Sequence, residues 1–340
     1  MSTRRLTSLI VLAAVTVMAL SPLAMPAGRA QPSTLTLYSG RTEALIGPLL
    51  ERFTRDTGIE VRARYGDSAE LAATILEEGT NSPADVLFSQ DAGALGALAS
   101  RGLLATLPAE TLQRVDTKFQ ARDGFWVGVS GRARVIVYNT DLLSPADLPD
   151  AVAGLADPRW QGAIGWAPTN ASLQASVTAM RLLEGEEAAR QWLAGIKANR
   201  PKVYANNSAV VQAVANGEVQ VGLVNHYYLY GFLKDRGPSF SARNYHPPTG
   251  GAGAIVNVAG VGLLNTATSS AAAQRFVDYL LSADAQQYFA DQTFEYPLVA
   301  GVEPHPDLLP LAQINHPDID LANLADLEVT LRLMREVGVL

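Results

Sequence analysis

The stretch VNHYY, Val224–Tyr228, places two phenols next to each other in the chain. Neighbours in a strand point to opposite faces, and neighbours in a helix lie about 100° apart. Tyr227 and Tyr228 can therefore serve one partner only where regular geometry gives way. Two chemistries fit such a pair. The rings can pack as an aromatic cluster under the following helix-like run, Leu229–Lys234, because aromatic side chains mostly serve cores and interfaces. Alternatively, the two oxygens can bind a metal. A phenol has an unperturbed pKa of about 10, metal ligands bind in their deprotonated form, and hard cations prefer oxygen over sulfur. Two other stretches could hold an anion. APTNAS, Ala167–Ser172, lies between a strand-like and a helix-like run. Backbone N–H groups at a helix start bind anions, and Thr169 and Ser172 add hydroxyls. Simple N-capping by Thr169 or Asn170 uses the same residues and is compatible with anion binding. Arg41, in YSGR after the first strand, carries a guanidinium fork that suits a planar oxyanion; the alternative is a solvated surface arginine.

The elements that must position these residues alternate along the chain. Leu35–Ser39 reads as a strand. Glu43–Thr57 repeats Leu45, Leu49, Leu50 and Phe53 at helical spacing and stops at Gly58. Ile59–Tyr65 alternates like a strand. A helix follows from Asp67 or Ser68 to Gly79, then a buried strand at Ala84–Ser89 and a helix at Ala92–Ser100. Beyond residue 125 the pattern restarts with a strand at Gly131–Tyr138, helices at about Asn170–Glu184 and Glu187–Ala198, a helix at Ser208–Asn216 and a strand at Val219–Val224. A Gly/Pro-rich stretch, Pro247–Gly253, closes this block. The run Gly260–Leu264 and the helix Ala271–Ser282 return to the style of the first half, and Leu321–Val337 reads as a final amphipathic helix. Strand–helix repetition of this kind predicts a mostly parallel sheet with helices on both faces. No single flexible boundary divides the 340 residues, so the chain is expected to cross between two α/β lobes more than once, near Arg132–Val137 and Ala254–Gly260. A cleft between lobes is the usual place for a ligand.

Composition narrows the classes. Hydrophobic residues make up 48% and charged residues 17%, as in ordinary globular proteins. Arg4 and Arg5, the twelve-residue apolar run Leu9–Leu20, Pro22 and the small-residue end Gly28-Arg29-Ala30 read as a secretory signal peptide, residues 1–30, cleaved after Ala30. The run is short for a membrane helix. The chain has no cysteine, which excludes a thiol lipid anchor, disulfides and cysteine metal sites. The signal segment holds three arginines and no acid, so the net charge of −7 becomes −10 without it. With no basic patch in view, nucleic acid and anionic membranes are poor partners. A hydrolase reading is weak, since there is no G-x-S-x-G elbow and only four histidines, of which His305 lies in a Pro-rich, surface-like stretch and His316 follows shortly after it.

The blocks LTLYSGR, PADVLFSQDAGAL, GRARVIVYN, IGWAPTNAS, YANNSAVVQAVANGEV, LVNHYYLY and FEYPL occur here in order. Together they resemble the bacterial periplasmic ferric-iron-binding proteins, the substrate-binding components of iron ABC transporters, over nearly all of the mature chain. The Tyr pair with its NNS…VQAVANGEV surroundings is the most specific part. The resemblance implies an α/β, type II-like two-lobed periplasmic binding protein, each lobe a mixed, mostly parallel sheet flanked by helices. The lobes are expected at 31–133 with 258–308 and at 134–257 with 309–340. It implies Tyr227 and Tyr228 as ligands of Fe3+. It also implies a synergistic anion such as carbonate, citrate or phosphate at Asn170, Ala171 and Ser172, with Asn207 and Asn225 as amide donors and Arg41 as a clamp. Thr42, Gln90 and Thr169 would stand just behind, and His226 is a neighbour rather than a ligand. The expected protein is a periplasmic monomer, not an enzyme, that delivers iron to an inner-membrane permease. Three positions depart from the pattern: Thr42 stands where many members have His, Gln90 where many have Glu, and Asn170–Gln174 lacks the third Tyr of other members. A second reading keeps the fold and changes the solute to an iron–organic acid complex, a polyamine or an oxyanion.

Overall fold

The computed structural model describes residues 34–340; the signal segment and its cleavage after Ala30 lie outside them. Ten strands run in chain order as β1 (Thr34–Ser39), β2 (Glu60–Tyr65), β3 (Val86–Ser89), β4 (Val127–Asn139), β5 (Ile164–Trp166), β6 (Lys202–Val203), β7 (Val221–Asn225), β8 (Ala242–Tyr245), β9 (Val256–Leu263) and β10 (Tyr296–Pro297). The helices are α1 (Glu43–Thr57), α2 (Ser68–Glu78), α3 (Ala92–Ser100), α4 (Ala109–Leu112), α5 (Ala171–Glu184), α6 (Glu186–Ala198), α7 (Asn207–Ala215), α8 (Tyr227–Arg236), α9 (Ser270–Leu280), α10 (Ala283–Thr293) and α11 (Leu327–Val337). The strand order is β2-β1-β3-β9-β4-β7-β5-β6, with β8 and β10 also pairing β4. The outer strands pair in parallel, β1 with β2 and β3, and β5 with β6 and β7. Through the centre the pairing turns antiparallel, at β3–β9, β9–β4 and β4–β7.

β4 organises the molecule. The sequence pattern marked only Gly131–Tyr138, but the strand begins at Val127 and is buried along its whole length. Its first half, Val127–Ala133, pairs with β9; from Arg134 onward it pairs with β7. One strand thus belongs to both halves of the sheet and changes partner between Ala133 and Arg134. Such doubly covered strands read as near-continuous apolar runs, which makes Arg132 and Arg134 unusual in this one. The largest fully buried side chains include Trp126, at the start of this strand, and Trp166, at the end of β5.

The tail corrects one expectation. Leu321–Val337 is not a single helix: a short 3-10 helix, Leu321–Ala325, ends at Asp326, and α11 begins at Leu327. The two pieces serve different surfaces. Leu321 and Leu324 are buried, and the 3-10 turn lies so close to α3 that a Cβ on Gly96 would meet the Ala322 carbonyl oxygen at 2.6 Å. α11 instead packs toward α5, where Thr330 and Thr178 share a hydrogen bond of 2.7 Å and Arg181 pairs with Asp326 at 3.1 Å. A straight helix cannot turn one apolar stripe toward both, so the chain breaks between them.

Candidate metal and anion site

Six strand ends feed helix starts around one cleft of about 1070 Å3: β1 into α1, β2 into α2, β3 into α3, β5 into α5, β6 into α7 and β7 into α8. In α/β sheets ligands bind beyond the carboxyl ends of the strands, where N–H groups of the following helices are free. Tyr227, Tyr228, Thr42, Gln90, Thr169, Asn170, Ala171 and Ser172 all line this cleft.

The tyrosine pair stands where β7 becomes α8. The helix begins at Tyr227, two residues before the expected Leu229, so the phenols occupy its first two positions. Their rings stack at 4.2 Å between centroids with 28° between planes. This arrangement brings neighbouring side chains to one wall. Tyr227 is buried and Tyr228 half-buried. Burial, followed by the neighbouring Tyr227, pushes the Tyr228 phenol well above the ordinary phenol range. The helix start works in the opposite direction, since its partial positive charge favours a nearby anion by about 0.3–1 kcal/mol. A cation that replaces the proton resolves this conflict.

Two hydrogen-bonded clusters back the pair. In the first, Gln90 Nε2 donates to Tyr227 Oη at 3.2 Å, and Gln90 Oε1 accepts from Arg41 Nη1 at 2.5 Å. Arg41 Nη2 pairs with Glu295, whose other oxygen accepts from Ser130. Arg41, Ser130 and Glu295 are each fully buried. Arg41 thus stands beside the tyrosines with both terminal nitrogens taken, and Glu295 balances its charge.

The second cluster is the loop Ala167–Ser172 ahead of α5. Asn170 caps α5 by accepting from the Ser172 N–H at 3.0 Å, and it also accepts from the Ser172 hydroxyl at 2.6 Å. Capping and cleft lining therefore coexist at this residue. Asn207 Nδ2 donates to Ser172 Oγ at 3.4 Å. Arg134 Nη1 donates to Ser172 Oγ and to Asn225 Oδ1, each at 3.1 Å. Asn207 and Asn225 do not line the large cleft. Asn225 lines a small enclosed cavity of about 10 Å3 behind it, together with Gln90, Arg132, Arg134 and Ser172.

Arg132, Arg134 and Glu295 were missed as site residues. Arg134 Nη2 and Arg132 Nε are buried with no hydrogen-bond partner among the described residues. Burial pushes the Arg134 guanidinium down to about 10, with Tyr228 and Tyr227 acting against that shift. A signal for the arginines exists in GRARVIVY: charges two apart in a strand share one face, and arginine is almost never fully buried unless paired. Glu295 lies in the block FEYPL, but no local pattern marks its pairing with Arg41, 254 residues away.

The donors suit a hard cation. Two phenols, Gln90 and hydroxyls face the cleft, while both ring nitrogens of His226 are engaged elsewhere, with Ala133 and Phe294. Among the described residues no group of three or more His, Cys, Asp or Glu could hold a metal ion.

Residues 49–312 match the family described as bacterial extracellular solute-binding protein. The chain is 35% identical over 327 residues to the major ferric iron-binding protein of Neisseria meningitidis serogroup B, covering 94% of this chain and 97% of that protein. The fold is similar to iron-bound HitA from Pseudomonas aeruginosa, with a TM-score of 0.86, 38% identity, and 90% and 100% of the two chains covered. It is also similar to a Trichodesmium protein solved with iron and citrate ligands, with a TM-score of 0.80, 30% identity, and 90% and 99% covered. The likeness gives the chain the two-lobed binding-protein fold, and these relatives are binding proteins rather than enzymes.

Proposed function

Because the chain belongs to the bacterial extracellular solute-binding proteins, we propose that it captures ferric iron in the periplasm, through Tyr227 and Tyr228, and hands it to an ABC permease of the inner membrane. Among the described residues the lobes would be 34–133 with 258–308 and 134–257 with 309–340, the Leu321–Ala325 turn reaching back onto α3, and they would close about β4 and β9. The observation that carries this reading is the stacked phenol pair at the start of α8, on the cleft wall. Two phenolates leave one positive charge on Fe3+. Among the described residues Arg134, unlike Arg41, has no carboxylate in hydrogen bond with it. An exogenous oxyanion at Ala171–Ser172 and Arg134 balances both charges and adds donors toward a shell of about six oxygens. Carbonate, citrate and phosphate each fit this chemistry. A second reading, capture of a preformed iron–organic acid complex such as ferric citrate, is favoured by the cleft volume of about 1070 Å3, far more than a bare ion fills.

The test is ferric titration of the purified protein, followed by its visible phenolate–iron band, in anion-depleted buffer and then with carbonate, citrate or phosphate restored. Colour and tight binding are expected only with an anion, with citrate superior if the chelate is the solute. Tyr227→Phe or Tyr228→Phe should abolish the band under every condition, and Arg134→Met should raise the anion concentration required. Because iron must displace a proton whose pKa burial has raised, affinity should fall as the pH is lowered. Full colour without any anion, surviving both tyrosine substitutions, would refute the assignment.

A further inference from the structure

His226 is fully buried between β7 and the tyrosine pair. The β4–β7 ladder ends with Arg134 opposite Asn225, and the chain then turns into α8. His226 continues the ladder by one further step in an unusual way. Its N–H donates to the Ala133 carbonyl at 3.0 Å. Its own carbonyl accepts from Asn244 Nδ2 at 2.8 Å. The return bond of the ladder therefore comes from the ring: the Ala133 N–H donates to His226 Nδ1 at 3.1 Å. On the other side, Nε2 lies 2.7 Å from the Phe294 carbonyl oxygen. The two partners fix the tautomer. A backbone N–H can only donate, so Nδ1 carries no proton; a carbonyl can only accept, so Nε2–H donates. Phe294 is held in the left-handed region, with φ of 53°, a conformation bulky residues adopt only when their surroundings enforce it. The bond to His226 and stacking on Tyr230, at 5.1 Å, are two such constraints. The next residue is Glu295, the partner of Arg41.

We infer that His226 is a positioning residue, whose ring ties the first turn of α8, and with it Tyr227 and Tyr228, to the partner-switch of β4 at Ala133 and to Phe294 of the opposite lobe. This rests on the reading of the tyrosines as iron ligands. The Ala133 bond orients the phenols, and the Phe294 bond couples them to the lobe that closes over the metal.

Two substitutions separate these arms. His226→Asn can place an amide oxygen near the Nδ1 position and keep the Ala133 bond while losing Phe294. His226→Gln can reach Phe294 from the Nε2 position and lose Ala133. Each variant is expected to release iron to a competing chelator roughly tenfold faster than the unaltered protein, the loss of one hydrogen bond. His226→Gln should also shift the visible band, whereas His226→Asn should leave it in place. Release rates and bands equal to wild type in both variants, even with lowered melting temperatures, would overturn the inference and leave His226 a packing residue. Nitrogen-15 spectra of the iron-free protein give an iron-independent check: a neutral ring with its proton on Nε2 is expected, and a proton on Nδ1 overturns the inference. If the unaltered protein shows no iron band at all, the proposed function fails, and the proton position alone decides where the ring is bound.

Discussion

Glu295 sets how much positive charge the tyrosines feel. Three buried arginines, Arg41, Arg132 and Arg134, stand close to the pair, and Arg41 forms a salt bridge with Glu295, both side chains fully buried. Removing one partner of a buried pair leaves an uncompensated charge, which costs about 3–5 kcal/mol, whereas replacing both by apolar groups is often neutral. Glu295→Gln should therefore lower the melting temperature sharply, and Arg41→Met combined with Glu295→Gln should recover much of the loss. Thermal melts of the two variants check this. A mild effect of the single substitution would mean that Arg41 finds a further partner beside Gln90, which it already holds.

Helix starts turn the sheet into a binding surface. α5 is the clearest case, because its cap residue also organises the loop Ala167–Ser172. Asn170 holds both the N–H and the hydroxyl of Ser172, and Ser172 in turn accepts from Arg134 and Asn207. Loss of an N-cap costs about 1 kcal/mol, which for a protein of this size lowers the melting temperature by about 1–2 °C. Asn170→Ala should show that shift. It should also raise the concentration of phosphate or carbonate needed for half-maximal iron colour, because the freed Ser172 no longer presents a fixed hydroxyl. A normal melt with normal anion dependence would show that Arg134 and Asn207 hold the loop without the cap. The short turn Leu321–Ala325 illustrates the other use of an element: the absence of a Cβ at Gly93 and Gly96 lets its backbone lie directly on α3.

At the scale of the molecule, β4 runs through both halves of the sheet, with β9 paired along its first half, and the tail adds a further connection, from the 3-10 turn on α3 to α11 on α5. α3 follows Gln90 and α5 follows Asn170, so the helices the tail touches both begin at the cleft. A ligand that contacts both lobes favours the closed state by its differential affinity. Small-angle scattering should therefore show a smaller radius of gyration with ferric iron and citrate than without. Superimposable curves at saturating iron would mean that binding draws on a single lobe.

The elements themselves were legible from local pattern. α1 and α3 follow the apolar periodicity to the residue, Glu43–Thr57 and Ala92–Ser100, because amphipathic spacing and terminal signals are encoded within each segment. The tyrosine pair, the capped loop and the absence of cysteine were equally plain, since they depend on residue type and near neighbours. What lay beyond the sequence were relations across long separations. That Arg41 is occupied by a carboxylate 254 residues away, that Arg134 of β4 meets Ser172 and Asn225, and that His226 completes a ladder with its ring are consequences of strand order and partner switching in β4. Charge balance is a sum over everything within a few ångströms, and only the tertiary fold decides which residues enter that sum.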